Sequence, residues 1–249
     1  MSAATHNATS TDIVLDIVIL LIIILTCVGI LAYRSYIDKK PIEVAEPNNE
    51  VNEPVEEEKK VQIYSGSDRP IAVMIDNHKS ALPQGGLNDA YMVYEIIVEG
   101  GESRLMALFK NVDVQKIGPV RSSRHYFLDY ALENDAIYVH YGWSPQAESD
   151  ISSLGVNNIN GITEASSAFP RQKDKSAPHN VATTIESIKS IAERKKYRTT
   201  SAATSVLHYV TDEVELADGQ AANKVTIPYS ESNEVEYIYN AETARYQRY

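Results

Sequence analysis

The run 94–109, YEIIVEGGESRLMALF, carries apolar residues on alternate positions either side of Gly100-Gly101. Such a pair between two alternating runs predicts a hairpin, because a two-residue primed turn needs positive φ. Pairing outward from that turn sets Val98 opposite Ser103 and Ile97 opposite Arg104. One face then holds Tyr94, Ile96, Val98, Leu105, Ala107 and Phe109, a core face. The other holds Glu95, Ile97, Glu99, Glu102 and Arg104, with Arg104 diagonal to both Glu95 and Glu99. A competing reading makes 104–110 a short helix.

The next stretch, IGPVRSSRHYFLDYALEN, reads as a helix from Pro119, since Phe127/Ala131 and Leu128/Leu132 repeat at helical spacing. On that helix Arg121, Arg124 and His125 share the first turn. Cations there oppose the macrodipole, so an anion is expected nearby, either Glu95 or Glu99 or a ligand. Elsewhere 70–76, PIAVMID, predicts a buried strand. The run 136–141, AIYVHY, predicts a strand with Tyr138 and His140 on one face and Val139 on the other. Ser144 is placed to cap a helix over 145–154, and Asn180 to cap another over 181–196. Beyond Tyr197 the pattern turns β-like at 206–210, 224–228 and 234–240, and the last residues, TARYQRY, resemble a strand cut short, unpaired and poorly ordered.

Two stretches before Tyr64 have a different character. Residues 13–33 are apolar except for Asp16, and their length at helical rise spans about 30 Å, a bilayer core. No Lys or Arg precedes them, unlike a signal peptide. Thr26 before Cys27 and the apolar run after it favour an uncleaved transmembrane helix over lipidation at Cys27. Residues 38–60, DKKPIEVAEPNNEVNEPVEEEKK, have few large apolar side chains and many like charges, so a disordered tether is expected.

Composition narrows the chemistry. A net charge of −11 over 249 residues argues against nucleic-acid binding. The single cysteine rules out an internal disulfide. There is no Walker A loop, GxGxxG, GxSxG or HExxH, and no cofactor or metal is expected. Asp76 ends a strand beside a Gly-rich loop, where it either lines a pocket or turns the chain. His140 and His179 form a candidate acid–base pair without carboxylates at ligand spacing. Trp143 is either a sugar-stacking platform or a core plug.

Five blocks resemble the YerB-like bacterial lipoproteins: RPIAVMIDN (69–77), VYEIIVEGGESR (93–104), KIGPVRSSRHY (116–126), YVHYGWSP (138–145) and APHN (177–180). The family is defined by sequence and not by an established chemistry. Ala90-Tyr91, Ser103 and Trp143 depart from its usual pattern. The resemblance implies an envelope protein tethered outside the membrane, with a mixed α/β first domain and a smaller β-rich second one. It opposes the positive-inside rule, which reads Arg34, Lys39 and Lys40 after the span as cytoplasmic. The expected plan is an α+β protein with a hairpin-containing central sheet in its head. Its parts are a tail (1–12), a single membrane span (13–33), a tether (34–62), a YerB-like domain (63–205) and the start of a truncated second domain (206–249).

The candidate site is Glu95, Glu99, Arg104, Arg121 and Arg124, with Asp76, His140, Trp143, His179 and Asn180 around it. Three readings compete: a structural ion-pair network, an anion or glycan site, and a glycan-active centre with Glu99 as acid. Glycosidase carboxylates stand about 5–10 Å apart, whereas Glu95 and Glu99 on one strand face would be about 13 Å apart. The expectation is a non-enzymatic cell-envelope binding or scaffold module recognising an anionic wall component, peptidoglycan or an envelope protein.

Overall fold

β1 (Ile71–Asp76) is buried at every position, as a strand covered on both faces must be. It lies third in a five-stranded sheet of order β2-β3-β1-β4-β5. Its neighbours are β3 (Ser103–Phe109), antiparallel, and β4 (Ile137–His140), parallel. β2 (Met92–Ile97) forms one edge beside β3, and β5 (Asn158–Asn160) the other beside β4. A three-stranded antiparallel meander follows: β6 (Lys224–Ser230), β7 (Asn233–Asn240) and β8 (Arg245–Arg248). The computed structural model describes residues 66–203, 206–207, 218–231 and 233–249. The architecture is mixed α+β. Among the described residues no helix is long and apolar enough to cross a membrane. The span predicted over 13–33, the tether and most of the strand predicted over 206–210 lie outside the described residues.

The sheet separates two cores. One contains Ile75, Leu105, Ala107, Phe109 and Val139, covered by α3 (Ile185–Arg194) through Ile185, Ile188 and Ile191. The other contains Met74, Met106, Leu108 and Tyr138, covered by α1 (Leu128–Glu133) and α2 (Pro145–Ser153). Ser144 caps α2 as expected, its Oγ accepting from Ala147 N.

Four local expectations are corrected. The hairpin register is Ile97 opposite Ser103 and Ile96 opposite Arg104, one residue from the expected pairing. Its loop is wider than two residues: Gly100 and Gly101 do have φ of 75° and 78°, but Val98 N–H closes it on Glu102 O. A one-residue shift exchanges faces, so Tyr94, Ile96 and Val98 pack on one core and Leu105, Ala107 and Phe109 on the other. β3 is buried on both faces, so its alternation carried no register information. Arg104 and Glu95 consequently project from opposite faces of the sheet.

The helix expected from Pro119 begins only with a 3-10 turn at His125–Phe127 and becomes α1 at Leu128. Residues 117–123 are extended instead. Their backbone bonds to β1 (Arg121 N to Met74 O, 2.9 Å), to the turn after β4 (Ser123 N to Gly142 O, 2.9 Å) and to the strand-like 181–183 (Val120 N to Val181 O, 2.7 Å). Nonlocal partners outbid a helix that had no cap at this end. Arg121 therefore lies outside any helix, whereas Arg124 stands as the N-cap residue of the 3-10 turn that leads into α1.

Asn180 does not cap the following helix. Thr184 does, accepting from Ser187 N, while Asn180 organises the preceding loop through Arg171, Gln172 and Lys175. The closing strand is paired as well: β8 joins β7, against the expectation of a loose end.

Candidate functional site

The carboxyl ends of β1 and β4 and the start of β3 lie at one end of the sheet, the end where open α/β sheets hold ligands. The connector 117–123 runs between β1 and the turn after β4, and delivers Arg121, Ser122 and Ser123 to that end. Across the β1–β3 ladder Asp76 is the direct partner of Arg104. The connector fits only because residue 118 is glycine. Its φ is +137°, and a Cβ would stand 2.7 Å from Val181 O and 2.9 Å from Val120 N.

Asp76 is 4% exposed and has two hydrogen-bond partners and one cation against it. Its Oδ1 accepts from His78 N at 3.1 Å, its Oδ2 lies 2.7 Å from His179 Nδ1, and Arg121 Nε approaches Oδ2 at 3.1 Å. The Arg121 contact is electrostatic: Nε lies within ion-pair distance but off the line of a hydrogen bond. So Asp76 both turns the chain and takes part in the charge cluster. His78 stacks on His179, ring centroids 4.5 Å apart at 17°.

Arg124 forms a 2.6 Å bond from Nε to Glu99 Oε1 and a second bond to Ser123 O. The guanidinium holds the Glu99 carboxyl below its usual range. Arg104 differs from both other arginines. It is 7% exposed, and among the described contacts its one hydrogen bond runs from Nη1 to Ser122 O at 2.7 Å. Burial, then repulsion from Arg124 and Arg121, pushes its pKa down to about 10. Three guanidinium groups thus face two carboxylates, and the most buried of the three has no acid of its own.

Glu95 does not belong to this cluster. On the opposite face it accepts from Ser103 Oγ (2.6 Å) and Asn77 Nδ2 (3.0 Å), and Arg248 of β8 forks onto both its oxygens (2.8 and 2.9 Å). Ser230 Oγ donates to Gly101 O beside it, so the meander is latched to the hairpin. Arg248 was not legible as a partner, because its residues read as an unpaired end. Removing it leaves a buried carboxylate short of its cation. Arg248→Ala is expected to lower the unfolding free energy by about 2 kcal/mol, with a urea midpoint identical to wild type as the contrary result.

Two other candidates pack inward, His140 completely and Trp143 in part. His140 is fully buried, with Nδ1 2.7 Å from Gly142 O and Nε2 3.0 Å from Asn158 Nδ2. Burial pushes its pKa down to about 4, so the imidazole is neutral. Trp143 packs on the α1–α2 core, 5.5 Å from the His140 ring. The expected His140–His179 pair is replaced by His78–His179. The DNH turn after β1 was visible in the sequence, but Asp76 and His179 are 103 residues apart and nothing local joins them.

Comparison with known proteins agrees with this fold. The family model described as "Protein of unknown function (DUF3048) N-terminal domain" matches residues 56–198. A Bacillus subtilis (strain 168) protein whose name calls it a lipoprotein, YerB, is 35% identical over 186 residues, covering 72% of this chain and 54% of that protein. The crystal structure of YerB from Bacillus subtilis superposes with a TM-score of 0.66 at 34% identity, over 74% of this chain and 61% of that one. The chain spans about half the length of the curated relative it matches. With a matched region that holds β1 to β5, the connector and every residue of the arginine cluster, the chain belongs to the DUF3048 family, that of the YerB-like proteins.

Proposed function

We propose that the protein is a membrane-anchored, extracytoplasmic module whose head binds an anionic group of the cell envelope at Arg104, Arg121 and Arg124. The name of the Bacillus relative supports the location, and residues 13–33 and 38–60 supply the anchor and reach. Arg104 carries the binding reading. A buried cation without a carboxylate is costly unless an anion completes it. Guanidinium forks suit carboxylate and phosphate oxygens. A stem-peptide carboxylate or a wall-polymer phosphate has that chemistry.

The competing glycan-active reading with Glu99 as acid gains nothing from the geometry. A general acid needs its pKa raised, and Arg124 moves that of Glu99 the other way. Glu95, its nearest partner in sequence, is committed to Arg248 on the other face.

Sedimentation with purified wall sacculi tests the binding reading. Wild-type protein is expected in the pellet, with inorganic phosphate as competitor. Arg104→Met should weaken binding at least about tenfold, the loss of a charge-assisted bond. It should leave the thermal midpoint unchanged or higher, because a buried unpaired charge has gone. Equal sedimentation of wild type and Arg104→Met rejects the site.

A further inference from the structure

His179 presents chemistry that anion binding leaves unused. Its Nδ1 faces a carboxylate that is 4% exposed and is held there by the hydrogen bond to Asp76, which leaves Nε2 as the ring nitrogen turned away from that carboxylate. Nε2 makes no hydrogen bond among the described residues, and 18% of the side chain is open to solvent. Two contacts fix the ring: the 2.7 Å bond to Asp76 and the stacked His78, whose own Nδ1 is occupied by Ser80 N–H. The oxygen that orients His179 is also the one Arg121 approaches. A proton acceptor and an anion-binding cation are therefore positioned by a single atom.

The neighbouring hydroxyls are committed. Ser122 Oγ donates to Tyr141 O, and Ser123 Oγ accepts from Tyr138. Lys175 Nζ is bound to the carbonyls of Ala81 and Pro83. The nucleophile consequently comes from outside the protein. A carboxylate ligand would be satisfied by one arginine fork, whereas three guanidinium groups match the several oxygens of a phosphoryl group, on which charge grows during displacement.

Building on the anion-binding reading, we propose that His179, oriented by Asp76, is a general base that activates water against a phosphodiester held by Arg104, Arg121 and Arg124. Nε2 takes a proton from water as the water oxygen bonds to phosphorus. The bond from phosphorus to the leaving oxygen breaks, and its electron pair departs with that oxygen. The alkoxide takes a proton from solvent, and the imidazolium returns its own. The products are a phosphomonoester and an alcohol. His179 is the catalytic residue, and Asp76 is a positioning residue.

The experiment pairs turnover with binding on the full chain. Bis(4-nitrophenyl) phosphate reports hydrolysis through released nitrophenolate, and calorimetry with inorganic phosphate reports the cradle. Wild type is expected to do both. His179→Gln should lose at least about 100-fold in kcat, the usual share of a general base, with phosphate affinity within about twofold of wild type. Asp76→Asn should lower kcat more than it changes KM, a split that simple loosening of the fold would not give. Phosphate binding without turnover, or a His179→Gln enzyme with wild-type kcat, overturns the catalytic inference and leaves the binding site standing. Absence of phosphate binding overturns both. Poly(glycerol phosphate) and phosphatidylglycerol vesicles, as parallel substrates, then tell a polymer diester from a lipid one by which releases monoester.

Discussion

Acidification from pH 7 to pH 4 is expected to remove about 3 kcal/mol of stability through His140 alone. The folded protein keeps this imidazole neutral, its pKa lowered from 6.5 to about 4 by burial. The unfolded chain protonates it at the ordinary value. The stabilisation is therefore complete above pH 6.5 and is lost as the pH falls towards 4. A shift of this size corresponds to about 2 kcal/mol by pH 5 and about 3 kcal/mol by pH 4. The hydrogen bonds say why the neutral form is required. Nδ1 donates to Gly142 O and Nε2 accepts from Asn158, so a second ring proton would point at a donor in a site with no water-exposed surface.

His140→Gln supplies the control. A glutamine amide also offers one donor and one acceptor, but does not titrate. The carboxylates contribute the same pH dependence to both proteins, so the difference between their urea-unfolding curves isolates the histidine. The gap between pH 7 and pH 4 should shrink by about 3 kcal/mol in the variant. Parallel curves for the two proteins would mean that His140 is already open to protonation in the fold.

The same residue shows what the sequence discloses and what it withholds. The alternation of AIYVHY placed Tyr138 and His140 on one face and Val139 on the other, and the cores divide that way. Ser144 before Pro145 announced its helix, because the cap and its target lie three residues apart. Signals of this local kind survive folding. The charge cluster was only half legible for the opposite reason. Arg104, Arg121, Arg124 and Glu99 do meet, but Glu95 left the group, since a strand buried on both faces has no alternation to fix its register. Asp76 joined through a ladder partner on β3 and an imidazole far along the chain. The connector 117–123 misled most. Pro119 suits a helix start and an extended segment equally, and its extended form is chosen by backbone partners on four separate segments: β1, Gly85, the turn after β4 and 181–183.

That dependence makes residue 118 the most sensitive point of the site. Gly118→Ala is expected to destabilise the protein by about 4 kcal/mol, which combines a strained positive φ with overpacking against main chain. Neither obstacle can move easily. Val181 O is the acceptor for Val120 N, and both belong to the ladder that carries the connector. Relief requires the connector to pull away from 181–183, and Arg121 and Ser122 travel with it. The Asp76–Arg121 contact and the Ser122 carbonyl that holds Arg104 would be disturbed together. Stability and phosphate binding should therefore fall in the same variant, with a thermal midpoint lower by about 10 °C. Gly100→Ala is the matched comparison, since φ there is also positive at +75° but nothing lies within 4 Å of the added carbon. It isolates backbone strain, at about 1 kcal/mol, and should spare binding. If the two alanines cost the same, the close approach at 118 contributes nothing, and the connector is not what holds the arginines in place.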